Sequence, residues 1–410
     1  MQNIIIDKPY RFIPPHHGNF WLHVLKWYLP RHLRKVYGVQ TAEFLGLERL
    51  RASLRAGHGV MLAINHCRPS DPMVVGLIAA RLSQPLYIMA SWHLFMQGRV
   101  MAWLLPRMGV FSVYREGLDR EALKCAVDAL VTARRPLLVF PEGAVTRTND
   151  HLNHLLEGTA FIARNAAKQR AATDPPGKVV VHPMAIRYFF GGDLERAVTP
   201  VLEQIERRLA WRPQSGKPLV ERITKVGSAL LTLKEIEYAD KPRGGTLAER
   251  LAALIDQLLA PLEQEWLKGK RDGDVVTRVK TLRAAILPDM VSGDVGDQER
   301  ARRWRQLADL YLAQQLSLYP PDYFDSPPTP EQILETVERF EEDLTDEVHV
   351  YHPLHVVVEV GEAIEVGPTR QRGVETDPVM AQLRDQLAAM LARLKQTARP
   401  GTARQERSAP

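Results

Sequence analysis

From Gly46 onward the apolar positions switch repeatedly between two periods. Leu47, Leu50 and Leu54 recur at helical spacing and predict a helix ending near Gly57. Gly59-Val-Met-Leu-Ala-Ile-Asn65 then forms a short unbroken apolar run, the pattern of a buried strand. Further along, the pattern predicts a helix over 72–82 and strands over 85–90 and 108–114. A helix over 119–134 follows, with Leu123, Val127, Leu130 and Val131 on one face, then a strand over 136–140, a helix over 151–167 and a strand over 179–188. Such alternation predicts an α/β fold with a mixed, largely parallel central sheet flanked by helices.

After Gly191-Gly192 the character changes, and residues 191–351 carry mostly helical periodicity. Thr246 and Glu249 stand at capping-box spacing ahead of Leu251, Leu254, Ile255, Leu258 and Leu262. Thr329-Pro330, with Gln332 three after the cap, opens another helix. A strand signal returns at His355-Val-Val-Val-Glu-Val360, and a last helix is expected from 378 to 396. One strand after so long a helical stretch reads as the missing edge of the earlier sheet. Residues 191–351 are then a helical insertion in a core of 43–190, completed by a return strand and helix over 352–397. Ahead of the core, residues 1–42 form an arm. Asn19 is expected to cap a helix over 20–29, Pro30 to interrupt it, and a second short helix to run from Leu33 to Tyr37. The polar tail, 398–410, is expected to be disordered.

Composition narrows the class. In 410 residues, 45% are hydrophobic and 25% charged, which excludes wholesale disorder, collagen and coiled-coil rods. Two cysteines, Cys67 and Cys125, exclude a disulfide scaffold. The histidines lack paired ligand spacing, so no metal is expected. No stretch reaches the ~20 apolar residues of a membrane span, and Met1 to Asp7 has no signal-peptide pattern, so a cytoplasmic location is expected. The net charge of +6 suits an anionic partner. Its distribution says more. Lys8 to Ala42 holds Lys8, Arg11, Lys26, Arg31, Arg34 and Lys35 with no acid, and Pro72 to Arg115 holds Arg81, Arg99, Arg107 and Arg115 with none. Both stretches are rich in Trp, Phe, Leu and Met, so the expected partner is an anionic membrane surface, with no nucleic acid.

Phosphate-loop, G-x-S-x-G and H-E-x-x-H motifs are absent. The sharpest feature is Asn65-His66-Cys67-Arg68-Pro69-Ser70-Asp71-Pro72, where a histidine and a carboxylate flank one strand-to-helix connection. A carboxylate on one imidazole nitrogen fixes the tautomer and leaves the other free to take a proton. Arg115 and Phe140-Pro-Glu142-Gly143 also follow strands directly, where open α/β sheets gather their sites.

Together, N-H-x4-D, then G-x-x-x-V-x-R-E, F-P-E-G and V-x-P-x-A-I resemble the glycerolipid acyltransferase family, of which lysophosphatidic acid acyltransferases are typical. The resemblance covers about residues 50 to 190 and implies an O-acyltransferase acting on a lysophospholipid. By that resemblance His66 is the general base and Asp71 orients it. The acyl donor is acyl-CoA or acyl-carrier protein, used as co-substrate with no cofactor. Arg115 holds the acceptor's phosphate, and Glu142, Gly143 and Arg147 shape that pocket. Where the family often has Thr-Arg-Ser-Arg, this chain has Ala144-Val145-Thr146-Arg147, so the acceptor stays open to an amine or another alcohol. A non-catalytic lipid-binding protein is the alternative of a different class.

Overall fold

A computed structural model describes residues 5–320, 323–324, 327–345, 349–370, 373 and 376–397. The expected disordered tail, 398–410, lies outside them. The chain divides into two compact units. A sheet unit comprises Arg11–Tyr114, Asp119–Gly192 and the residues from 350 on, and a helical unit comprises residues 5–10, Arg115–Leu118 and Asp193–His349.

The sheet unit opens with α1 (Phe20–Tyr37), β1 (Val39–Leu45), α2 (Leu47–Arg55), β2 (Gly59–Ile64) and α3 (Asp71–Leu82). β3 (Tyr87–Ser91), α4 (Arg99–Arg107), β4 (Val110–Val113), α5 (Arg120–Thr132), β5 (Leu137–Val139), α6 (Gly158–Ala171) and β6 (Val179–Phe190) follow. Pro30 does not divide the arm: α1 continues through it, because Leu29 and Leu33 on either side are both buried. Asn19 leaves the helix end uncapped and accepts from Arg135 instead, at 2.9 Å. The helix expected from 151 starts at Gly158, since 151–157 stays in a loop that supplies bonds to the site. β1 carries no strand signal because polar Gln40 is half-buried while apolar Leu45 is exposed, and α4 is masked by Gly98 and Pro106.

The helical unit carries α7 (Leu194–Arg208), α8 (Leu219–Ala239), α9 (Leu247–Leu267), α10 (Val275–Ile286), α11 (Pro288–Ser292), α12 (Asp297–Ser317) and α13 (Pro330–Thr345). The Thr246/Glu249 capping box forms in full, a device worth about 1 kcal/mol. Leu254, Leu258, Leu282, Ile286, Leu307 and Leu310 belong to one apolar core. Buried ion pairs cross between helices: Arg222 with Glu206 at 2.9 Å and Arg250 with Glu235 at 2.7 Å.

β7 (Leu354–Val360), β8 (Ile364–Glu365) and α14 (Pro378–Gln396) return to the sheet unit. The sheet has eight strands among the described residues, in the order β1-β7-β6-β2-β5-β3-β4, with β8 beside β6. It is parallel except where β6 meets β7 and β8. β7 is therefore not an edge, as its isolation suggested. It lies between β6 and β1, and β1 takes the edge. Pro183 sits in the middle of β6, at the point where β7 ends and β8 begins. There its carbonyl accepts from Gly361 N–H at 2.7 Å, so the break in the ladder accommodates a residue with no N–H to give.

Candidate active site

β2 is buried along its whole length and ends at Ile64, which brings Asn65 and His66 to its carboxyl end. β6 runs further, to Phe190, so its Ile186 and Tyr188 backbone groups pass beyond the end of β2. Two asparagines satisfy them. Asn65 Oδ1 accepts from Ile186 N–H at 2.8 Å and its amide donates to Ile186 O at 3.1 Å. Asn149 repeats the pattern on Tyr188, at 2.9 and 3.0 Å. Each amide imitates a strand neighbour, which leaves no buried backbone group unpaired at these positions.

Four residues hold His66. Its Nδ1 lies 2.8 Å from Asp71 Oδ2. Its backbone N–H donates to Glu142 Oε1 at 2.8 Å, and its carbonyl accepts from Thr146 N–H at 2.7 Å. Its ring stacks on Phe140, centroids 3.9 Å apart. The side chain is 14% exposed while that of Asp71 is fully buried, so the imidazole is the member of the pair that solvent reaches.

Asp71 opens α3, where the exposed amides of a helix start favour negative charge. Its Oδ2 also accepts from Arg68 N–H at 2.9 Å, and its Oδ1 accepts from Tyr188 O–H at 2.7 Å. Burial, reinforced by the Asp71 charge, pushes the Tyr188 hydroxyl well above its ordinary pKa, so it remains a donor. Ser70 Oγ lies 2.8 Å from the same hydroxyl. With Asp71 accepting, the neutral form of the imidazole carries its proton on Nδ1 and leaves the Nε2 lone pair free. That is the protonation state a general base needs.

Glu142 faces the backbone. Besides His66 N–H it accepts from Asn153 N–H at 3.0 Å and from the Asn153 amide at 3.2 Å. Burial raises its pKa, and these three bonds pull the other way. Gly143 turns the chain at φ +69°, a conformation that disfavours side chains, and a Cβ there meets Leu156 Cδ1 at 2.6 Å. Arg147 is half-buried in the same loop, in a left-handed backbone conformation. Cys67 is fully buried behind the histidine, its Sγ 3.9 Å from Asp71 Oδ1.

The structure thus brings His66, Asp71 and Glu142 into one bonded cluster. Arg115 belongs to the helical unit, with Lys280 and Arg283. Tyr188, Ser70, Asn149 and Asn153 escaped sequence reading. Only Asn65 carried a signal, as the residue preceding the histidine. Among the described residues no cluster of His, Cys, Asp or Glu is suited to a metal ion, and no helix is long and apolar enough to cross a membrane.

Residues 42–187 match the family model described as Acyltransferase. The matched stretch spans β1 to β6 and contains His66, Asp71 and Glu142, and it supports acyl transfer as the chemistry of this chain. Comparison with curated proteins returns no match.

Proposed function

We propose that this acyltransferase moves a fatty acyl group from an acyl thioester, of coenzyme A or acyl-carrier protein, to the hydroxyl of a glycerolipid such as a lysophospholipid. The observation that carries the reading is the bonded His66–Asp71–Tyr188 chain, with the imidazole at its partly exposed end. His66 Nε2 takes the hydroxyl proton as the oxygen attacks the thioester carbonyl. The new C–O ester bond forms, the C–S bond breaks, and the proton passes to the departing thiolate. No covalent enzyme intermediate is needed. Asp71 holds the tautomer and balances the imidazolium that forms. Glu142 and Gly143 act as positioning residues for the His66 backbone. Arg147, in the loop after Gly143, is the sheet unit's cation proposed for the acceptor's phosphate.

The acceptor and donor are lipids, and the sheet unit carries a surface suited to them. Phe20 and Trp27 on α1 are 69% and 74% exposed, and Val100 and Trp103 on α4 are also exposed. Trp21 and Trp103 join the two helices edge to face, centroids 5.5 Å apart. α1 also carries Lys26, Arg31, Arg34 and Lys35, and α4 carries Arg99 and Arg107, whose guanidinium lies over the Trp103 ring; neither helix contains an acid. Apolar rings set among cations favour a peripheral position on anionic lipid.

The test is product analysis by mass spectrometry, with mixed acyl-CoAs and a panel of lysolipids, alcohols and amines presented in vesicles. Ester formation on a lysophospholipid that His66→Ala abolishes is the expected result. Full activity in that variant overturns the mechanism, and products on amines alone overturn the acceptor.

A further inference from the structure

Lys280 and Arg283 stand three residues apart on α10 and so share one side of the helix. Arg115 of the same unit lies near enough to both to repel their charges. Glu116 is the acid that opposes this repulsion, and Tyr311 of α12 acts on Arg283.

Arg283 is 6% exposed, yet its Nε and Nη2 find no hydrogen-bond partner among the described residues. The unit's other buried arginines are satisfied. Arg222 bonds Glu206, Arg250 bonds Glu235, Arg303 bonds Glu299 and Asp289, and Arg339 bonds the carbonyls of Leu318 and Gln315. A buried guanidinium without an anion is costly. Burial and the neighbouring Arg115 bring Arg283 down to about 10, and burial lowers Arg115 as well. A buried Arg283 with two donors unspent, beside two further cations, is arranged for an anion that enters from outside.

We propose that Arg115, Lys280 and Arg283 form a phosphate-binding site within the helical unit, with the donors of Arg283 directed at a phosphomonoester. A doubly charged phosphomonoester supplies the acceptor oxygens that Arg283 lacks. A guanidinium also matches the paired oxygens of phosphate. The phosphate comes from a lipid acceptor's headgroup or from the ribose phosphate of coenzyme A. Only this link to the reaction rests on the acyl-transfer reading; phosphate binding itself does not.

The full chain is melted in sodium phosphate and in sodium chloride at matched ionic strength. Phosphate raises the wild-type melting temperature beyond chloride. Arg283→Met, which keeps much of the side-chain volume, binds phosphate about ten-fold more weakly or worse. Without phosphate it melts no lower than wild type, unlike a variant that has lost a structural arginine. Lys280→Met, at an exposed position, weakens binding in the same sense should Arg283→Met fail to fold. Glycerol 3-phosphate and adenosine 3′,5′-bisphosphate then identify the source, by which of them gives the larger shift. A wild-type response no larger than in chloride, or variants that keep the full response, overturns the site. These melts involve no turnover, so their failure is distinct from failure of the His66 assay.

Discussion

At the residue scale, the proposed catalytic group is the Nε2 lone pair of His66, on which each neighbour would act indirectly. Asp71→Asn presents an amide to Nδ1 and frees the ring to adopt the wrong tautomer. The expected loss in kcat is about 100- to 10,000-fold with little change in KM. An unchanged kcat in steady-state assays removes Asp71 from the mechanism. Tyr188→Phe withdraws one donor from a fully buried carboxylate. It is expected to cost roughly 1–3 kcal/mol in urea unfolding and to lower kcat less than Asp71→Asn does, because Nδ1 keeps its partner. The His66–Asp71 pair was legible because its members are five residues apart and bracket a helix start. Tyr188 was not. It is 117 residues from the carboxylate it serves, inside an apolar run where a tyrosine looks like core. Arg115 illustrates the same limit, since its charged neighbours on α10 belong to a stretch with no motif to connect them.

At the element scale, β6 organises the sheet unit. It is buried throughout and bonds β2 on one side and β7 and β8 on the other. His182 lies within it, fully buried, with Nδ1 donating to Gly361 O at 3.0 Å and Nε2 accepting from Ser53 O–H at 2.8 Å. Burial depresses its pKa below the ordinary 6.5, outweighing the opposing bond to Gly361. The unfolded chain therefore binds a proton more readily than the native one. Stability from this group is complete above about pH 6.5 and is lost as pH falls through the depressed native value. Melting temperature is expected to drop as pH goes from about 7 to about 5, and His182→Gln to flatten that slope. Equal slopes in the two proteins would sink the assignment. Long apolar runs and their flanking helices were legible because burial on both faces leaves few polar residues in the strand. The place of β7 was not, since the pairing that makes it an interior strand needs β1, whose alternation of half-buried and exposed residues carries no such run.

At the scale of the whole molecule, the basic and aromatic surface of α1 and α4 predicts where the chain works. Co-sedimentation with anionic vesicles is expected at low salt and to weaken as salt rises. Trp27→Ser with Trp103→Ser is expected to reduce binding by about ten-fold or more while leaving the fold intact, because both rings are exposed. Equal binding to neutral and anionic vesicles would count against the role of the lysines and arginines. The position of β7 has a further consequence during synthesis on the ribosome. The flank of β6 that β7 will cover stays open while roughly a hundred and sixty residues of helices emerge between them. A chain released before residue 354 therefore leaves that flank as a ready template for other nascent chains, and truncated products are expected to pellet rather than stay in solution.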